Sequence, residues 1–202
     1  MNWHLFATVF GVMVLGELPD KTAFIVLFLA THHDVWGVFI GAAAAFLVQS
    51  VVAVTLGTVL LRLAPPQIVH MVSGAMFLVF AFLMWRKKEE KTAEIKEEVR
   101  DIEKAEPAEL KRGRFLKAVT TAFGAIFIAE WGDITQLATA SFAAKYHQPL
   151  LIGVSATLGL WSVTALTVLA GHYAKAAIPQ KVFQKIAAMA FAGIGLFLLI
   201  RG

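Results

Sequence analysis

The chain has no cysteine, which excludes a disulfide framework, a thiolate metal site and a cysteine nucleophile. Any metal ion must therefore meet oxygen or imidazole. Charge is also scarce: Asp, Glu, Lys and Arg make up 16% of the 202 residues, where a soluble domain carries roughly a quarter. Hydrophobic residues account for 58% and the mean hydropathy is +0.72. This composition reads as an integral membrane protein. At about 20 apolar residues per span, the length fits about six helices and leaves no room for a separate nucleotide-hydrolysing domain. The net charge of +4 does not point to nucleic acid, because the basic residues concentrate in one stretch, where membrane topology accounts for them.

Six apolar segments stand out, at 4–31, 35–61, 68–85, 117–144, 149–174 and 183–200. Short polar or Pro-containing breaks separate them: His32-His33-Asp34, Arg62 with Pro65-Pro66, Lys145 to Pro149, and Lys175 to Lys181 with Pro179. The first segment opens MNWHLF, has no basic leader and carries acids at its centre, so it reads as a retained span rather than a signal peptide. Between the third and fourth segments, Arg86 to Lys117 holds 11 Lys or Arg and nine Asp or Glu, with Ile95, Val99 and Ile102 at helical spacing. The positive-inside rule places this run in the cytoplasm together with Lys175, Lys181 and Lys185. That puts 14 basic residues inside against three outside (Arg62, Lys145 and Arg201), and both termini outside the cell membrane.

The chain divides into residues 1–85, the charged loop 86–116, and residues 117–202, and the two flanking parts resemble each other. Residues 17–22 read ELPDKT and residues 130–135 read EWGDIT, an offset of 113. Gly41 and Gly153, Ser50 and Ser162, and Pro65-Pro66 and Pro179 keep a similar offset. Three spans per half is an odd number, so the second copy must cross the membrane in the opposite sense. The expected fold class is therefore an all-α membrane protein of six transmembrane helices in two inverted three-helix repeats. Transporters use this device to alternate access to a site at the repeat interface.

The ionisable residues at mid-segment are Glu17, Asp20 and Lys21 in the first span and Glu130 and Asp133 in the fourth. A charge at mid-bilayer costs about 2.5–3.5 kcal/mol even on the lenient insertion scale, so five of them mark a functional site. A spacing of three places each acid pair on one helix face. Protonated or Lys-paired acids serving only as glue between helices would be the bland alternative, but one Lys cannot neutralise four carboxylates. With Lys21 the set carries −3, and a divalent cation leaves −1. Oxygen-only ligation suits Ca²⁺ and Mn²⁺. Carboxylates held this close need either a cation or protons, so competition between the two is built in. Pro19 frees the Leu15 carbonyl and Gly132 loosens the matching point of the second copy, and broken helices expose carbonyls to cations. Thr22, Thr135, Gln136, Gln49, Ser50 and Ser162 are candidate neutral oxygens, although an ordinary interhelical hydrogen bond accounts for each equally well.

The pair ELPDKT and EWGDITQ resembles the doubled E-φ-G-D-(K/R)-(T/S) signature of the Golgi and bacterial family of manganese and calcium cation/proton exchangers, which includes the MneA-type manganese exporters. The resemblance extends over the whole chain in size, span number, doubled halves and charged central loop. It assigns Glu17, Asp20, Lys21 and Thr22 to the first motif and Glu130, Gly132, Asp133 and Thr135 to the second. It implies export of Mn²⁺ or Ca²⁺ against protons. Pro19 stands where the signature has Gly, and Ile134 where it has Lys or Arg, which leaves the site one unit more negative than the family pattern.

No enzymatic activity or resident cofactor is expected, only the transported Mn²⁺ or Ca²⁺. The implied partners are a divalent cation, protons and the bilayer, not nucleic acid, and a homo-oligomer remains open. A divalent-cation channel would show flux without proton coupling. A membrane-embedded hydrolase would need a nucleophile or a His beside the acids, and none lies there in sequence. An amino-acid exporter of this size fits four acids and one Lys less well than a small cation does. His32-His33-Asp34 could recruit metal at the cytoplasmic end, though adjacent loop histidines are ordinarily just solvated. Trp3, Trp36 and Trp85 read as interface anchors, whereas Trp131, between paired acids, is a gate or a packing residue.

Overall fold

The computed structural model describes residues 2–18, 20–63, 65–86, 113–173 and 180–201. Pro19, Lys175 and most of the charged run, with its Ile95, Val99 and Ile102 pattern, lie outside the described residues. Every described element is helical. They are α1 (Trp3–Glu17), α2 (Lys21–His32), α3 (Val35–Leu63), α4 (Pro66–Arg86), α5 (Arg114–Ala129), α6 (Ile134–Lys145), α7 (Pro149–Tyr173) and α8 (Gln180–Arg201).

Local chemistry sets the boundaries. Asp34 opens α3 by accepting a 2.8 Å hydrogen bond from the Gly37 amide. Pro66 and Pro149 each occupy a first helical position, where the missing N–H costs nothing. The 29 residues of α3 extend about 44 Å at 1.5 Å per residue, more than the hydrocarbon thickness. Among the described residues, Val35–Val59 and Pro149–Leu169 are each long and apolar enough to cross a membrane, and α5 with α6 forms a third candidate span, bent by 69°. The apolar stretches Trp3–Glu17, Lys21–His32 and Met71–Leu83 are shorter.

One expectation is corrected here. The first and fourth apolar segments are not continuous helices: each is two helices broken at its acidic motif. Glu17 and Asp20 therefore do not share a helix face, because Glu17 ends α1 and Asp20 precedes α2. The same holds for Glu130 and Asp133.

Helix α3 packs along both α5 and α6, α7 packs along α1 and α2, and α4 pairs with α8. Small residues make these approaches close. A Cβ at Gly41 would lie 2.2 Å from the Val119 carbonyl of α5, and one at Gly57 would lie 2.1 Å from the Ala140 carbonyl of α6. Ala42, Ala45, Ala118, Ala122 and Ala125 are fully buried around the first crossing. Phe142 of α6 meets Phe77 of α4 edge-on at 5.1 Å. The outer surface is apolar, with Val51, Leu56, Phe82, Leu150 and Leu166 exposed, while Glu17, Asp20 and Glu130 are inside. This inversion of a soluble protein's pattern suits a lipid surround, where small residues, van der Waals packing and hydrogen bonds hold helices together.

Candidate ion-binding site

The two breaks have matching backbone geometry. In the first, the Asp20 amide donates to the Glu17 carbonyl at 3.0 Å, and Asp20 is extended (φ −86, ψ 162) as it hands the chain to α2. In the second, the Asp133 amide donates to the Glu130 carbonyl at 3.1 Å, and Asp133 is extended (φ −69, ψ 168) as it enters α6. Gly132 makes the second turn possible with φ +80, a conformation that costs a side-chain-bearing residue roughly 1–2 kcal/mol. At each break one helix ends and another begins. Carbonyl ends and amide ends therefore converge, presenting partial charges of both signs at one level of the bundle.

Three acids meet there. Glu17, Asp20 and Glu130 each offer a carboxylate oxygen within 4.8 Å of the others, and each side chain is about 1% exposed. Asp133 does not join this group: it is partly exposed, and its carboxylate accepts from the Thr135 amide at 3.3 Å, capping α6. Two threonines occupy equivalent positions. The Thr22 hydroxyl donates to Glu17 Oε1 and approaches Asp20 Oδ2 at 3.3 Å, and the Thr135 hydroxyl lies 3.5 Å from Glu130 Oε2. Since a hydroxyl has one proton, Thr22 donates it to Glu17 and only lies beside Asp20.

The remaining candidates divide. Gln49 is buried, and its amide donates to the Phe127 carbonyl at 3.0 Å, so α3 holds the last turn of α5 directly before Glu130. Ser50 is buried and its hydroxyl has no hydrogen-bond partner among the described residues. Both line a small cavity with Thr135, Gln136 and Thr139. Gln136 accepts from the Gly132 amide at 2.7 Å and so braces the second turn. Lys21 starts α2 and is half-buried. Ser162 bonds to the Leu158 carbonyl of its own helix at 2.7 Å. Trp131 is 60% exposed, its ring 5.1 Å from that of Phe127.

Thr139 was not singled out from the sequence. Its buried hydroxyl bonds to the Thr135 carbonyl at 2.8 Å and approaches Met13 Sδ at 3.4 Å, linking α6 to α1 beneath the acids. The signal was present, since Thr139 follows Thr135 by four residues on one helix face. At the other end, His32, His33 and Asp34 form no metal-ligating group: among the described residues, Glu17, Asp20 and Glu130 are the one such cluster.

Because the Thr22 hydroxyl donates to Glu17, Thr22→Val should preserve the fold and weaken divalent-ion binding by roughly 10–100-fold, the usual cost of removing a partner that orients a metal ligand. Metal titration of the purified protein followed by tryptophan fluorescence checks this, and unchanged affinity would remove Thr22 from the site.

The family model described as divalent cation/proton antiporter GDT1 matches residues 5–92 and 118–202. A GDT1-like protein of Synechocystis is 28% identical over 185 residues, covering 89% of both chains. GDT1-like protein 3 of Oryza sativa is 29% identical over 203 residues, covering 95% of this chain and 72% of its own. The Arabidopsis thaliana protein named PAM71-homolog, chloroplastic, is 25% identical over 213 residues, covering 96% of this chain and 57% of its own. No solved structure matches the chain significantly. With the family model aligned to both halves, the chain belongs to the GDT1 family of membrane-embedded divalent cation/proton antiporters, and is a transporter rather than an enzyme.

Proposed function

We propose that this protein exports Mn²⁺, with Ca²⁺ as the second candidate, from the cytoplasm in exchange for protons, through six spans arranged as two inverted three-helix repeats around residues 86–116. The observation that carries the reading is the meeting of buried carboxylates from two helix breaks 113 residues apart, Glu17 and Asp20 with Glu130. Supporting the repeat are the equivalent turns, the equivalent Thr–Glu contacts, and the crosswise packing of α3 on α5 and α6 and of α7 on α1 and α2. The family match also falls into two segments on either side of the charged run.

The ion binds between the halves to Glu17, Asp20 and Glu130. Asp133 supplies the fourth carboxylate as the halves shift, and Lys21 tempers the excess negative charge. The oxygens of Thr22, Thr135 and Gln136 support the acids, with Gln49 and Ser50 from α3 beside them. Buried acids this close are held together by a cation or by protons, so release of the ion on one side requires protons in its place. Each half-cycle then moves either the ion or the protons, which is antiport. All-oxygen ligation favours Mn²⁺ and Ca²⁺ over softer ions. Under the positive-inside rule the charged run faces the cytoplasm and both termini face outward, in the cell membrane.

The test is proton movement in liposomes containing the purified protein on addition of Mn²⁺, Ca²⁺, Mg²⁺ or Zn²⁺. Proton flux driven by Mn²⁺ above the other ions supports the assignment. Metal entry without proton flux overturns antiport in favour of a channel, and a preference for Mg²⁺ or Zn²⁺ overturns the substrate.

A further inference from the structure

At the end of the bundle where α2 finishes and α3 and α5 begin, an open-sided pocket of about 540 Å³ is lined by Thr31, His32, His33, Asp34, Arg114 and Lys117. The starts of α3 and α5 touch here, since a Cβ at Gly37 would lie 2.8 Å from the Phe115 carbonyl. Two helix N-termini therefore bring their positive ends to one place. The single carboxylate in the pocket is already engaged, with Asp34 Oδ1 accepting the Gly37 amide at 2.8 Å. Arg114 is exposed and Lys117 half-exposed. Nothing in ion exchange at Glu17, Asp20 and Glu130 uses this pocket.

The pocket does not end in solvent alone. Thr31, His33 and Asp34 also line an adjoining space of about 500 Å³ whose other walls are Ala30, Val35, Trp36 and Leu169. Trp36 and Leu169 are 70% and 50% exposed, and Phe115 and Leu116 beside the cations are about half exposed. A cationic, hydrogen-bonding cup thus adjoins a second space on the outer face of the bundle whose far walls, Ala30, Val35, Trp36 and Leu169, are apolar. A free anion would fill only the first part. A phosphate bearing an acyl chain fills both.

We propose that this pocket holds the phosphate headgroup of an anionic phospholipid, with an acyl chain along Trp36 and Leu169, in the leaflet this end faces, the cytoplasmic one in the orientation proposed above. Arg114 and Lys117 bind the phosphate and the His32 and His33 rings face it, while Thr31 keeps its hydroxyl proton on the Phe28 carbonyl at 2.7 Å. A basic juxtamembrane residue contributes enough for roughly a fivefold change in anionic-lipid binding, so removing both cations should weaken it about thirtyfold.

The experiment places the full chain in nanodiscs of phosphatidylcholine and phosphatidylglycerol and measures co-retained lipid by native mass spectrometry. Wild type should retain phosphatidylglycerol over phosphatidylcholine, Arg114→Gln/Lys117→Gln should lose that preference, and Lys145→Gln, at the far end of α6, should keep it. Lys117→Gln alone, expected to show the fivefold loss, serves if the double variant does not fold. Equal retention by wild type and the cation variants overturns the proposal. So does displacement of phosphatidylglycerol by inorganic phosphate at comparable concentration, which would make this a site for free phosphate.

Discussion

Glu130→Gln should abolish metal-driven proton flux in liposomes while the protein still inserts and retains its helical signal, and Glu17→Gln should do the same. Each substitution keeps the size of the side chain and removes one charge from a set of three whose oxygens lie within 4.8 Å of one another. Removing a mere orienting partner of a metal site costs 10–100-fold, so losing one of three buried carboxylates should cost at least ~100-fold in ion affinity. The amide also cannot take up and release a proton, so the set loses one of its proton-carrying groups as well. Asp133→Asn should be milder in binding, because Asp133 stands outside the three-acid group and caps α6. Asparagine caps a helix about as well as aspartate, so the fold should hold and any loss in turnover would report the part of Asp133 in the moving site. Wild-type flux in folded Glu17→Gln or Glu130→Gln would remove the acids from the transport site.

The next largest effect is expected at the helix crossings. Gly57→Ala places a methyl group 2.1 Å from the Ala140 carbonyl, and Gly41→Ala places one 2.2 Å from the Val119 carbonyl. Both obstacles are backbone and cannot rotate away, so α3 must move off α5 or α6. Overpacking of this kind costs about 1–3 kcal/mol. It also displaces Gln49, whose amide holds the Phe127 carbonyl in the turn before Glu130. Both variants should therefore melt earlier in detergent and transport poorly. Gly11→Ala is the contrast: nothing lies within 4 Å of its Cβ, so it should melt no earlier than wild type and gain up to about 1 kcal/mol of helix propensity. Equal melting of Gly57→Ala and Gly11→Ala would show that the crossings tolerate separation.

How far the site was legible follows from the range of each interaction. The cost of an acid in an apolar segment is a property of composition, so Glu17, Asp20, Glu130 and Asp133 stood out from the sequence alone. The threonine five residues after each glutamate belongs to the same local motif, and both hydroxyls approach their glutamates. Gly132 in the second motif signalled a loosened helix, and the backbone there takes a positive φ. The shared helix face assumed for Glu17 and Asp20 failed for the same local reason: a motif that breaks its helix also destroys the three-residue periodicity from which a face is read.

The sequence by itself determined an all-helical membrane protein with acids buried at two matching motifs, because hydropathy and helix propensity act over a few turns of one segment. Only the tertiary structure decided that Glu130 joins Glu17 and Asp20 while Asp133 turns away to cap α6, that Gln49 reaches Phe127, and that Thr139 meets Met13. Those contacts depend on the crossings of α3 and α7 over the broken helices, where glycine and alanine let backbones approach within a few ångströms. No periodicity within one segment encodes which residue waits on the other side.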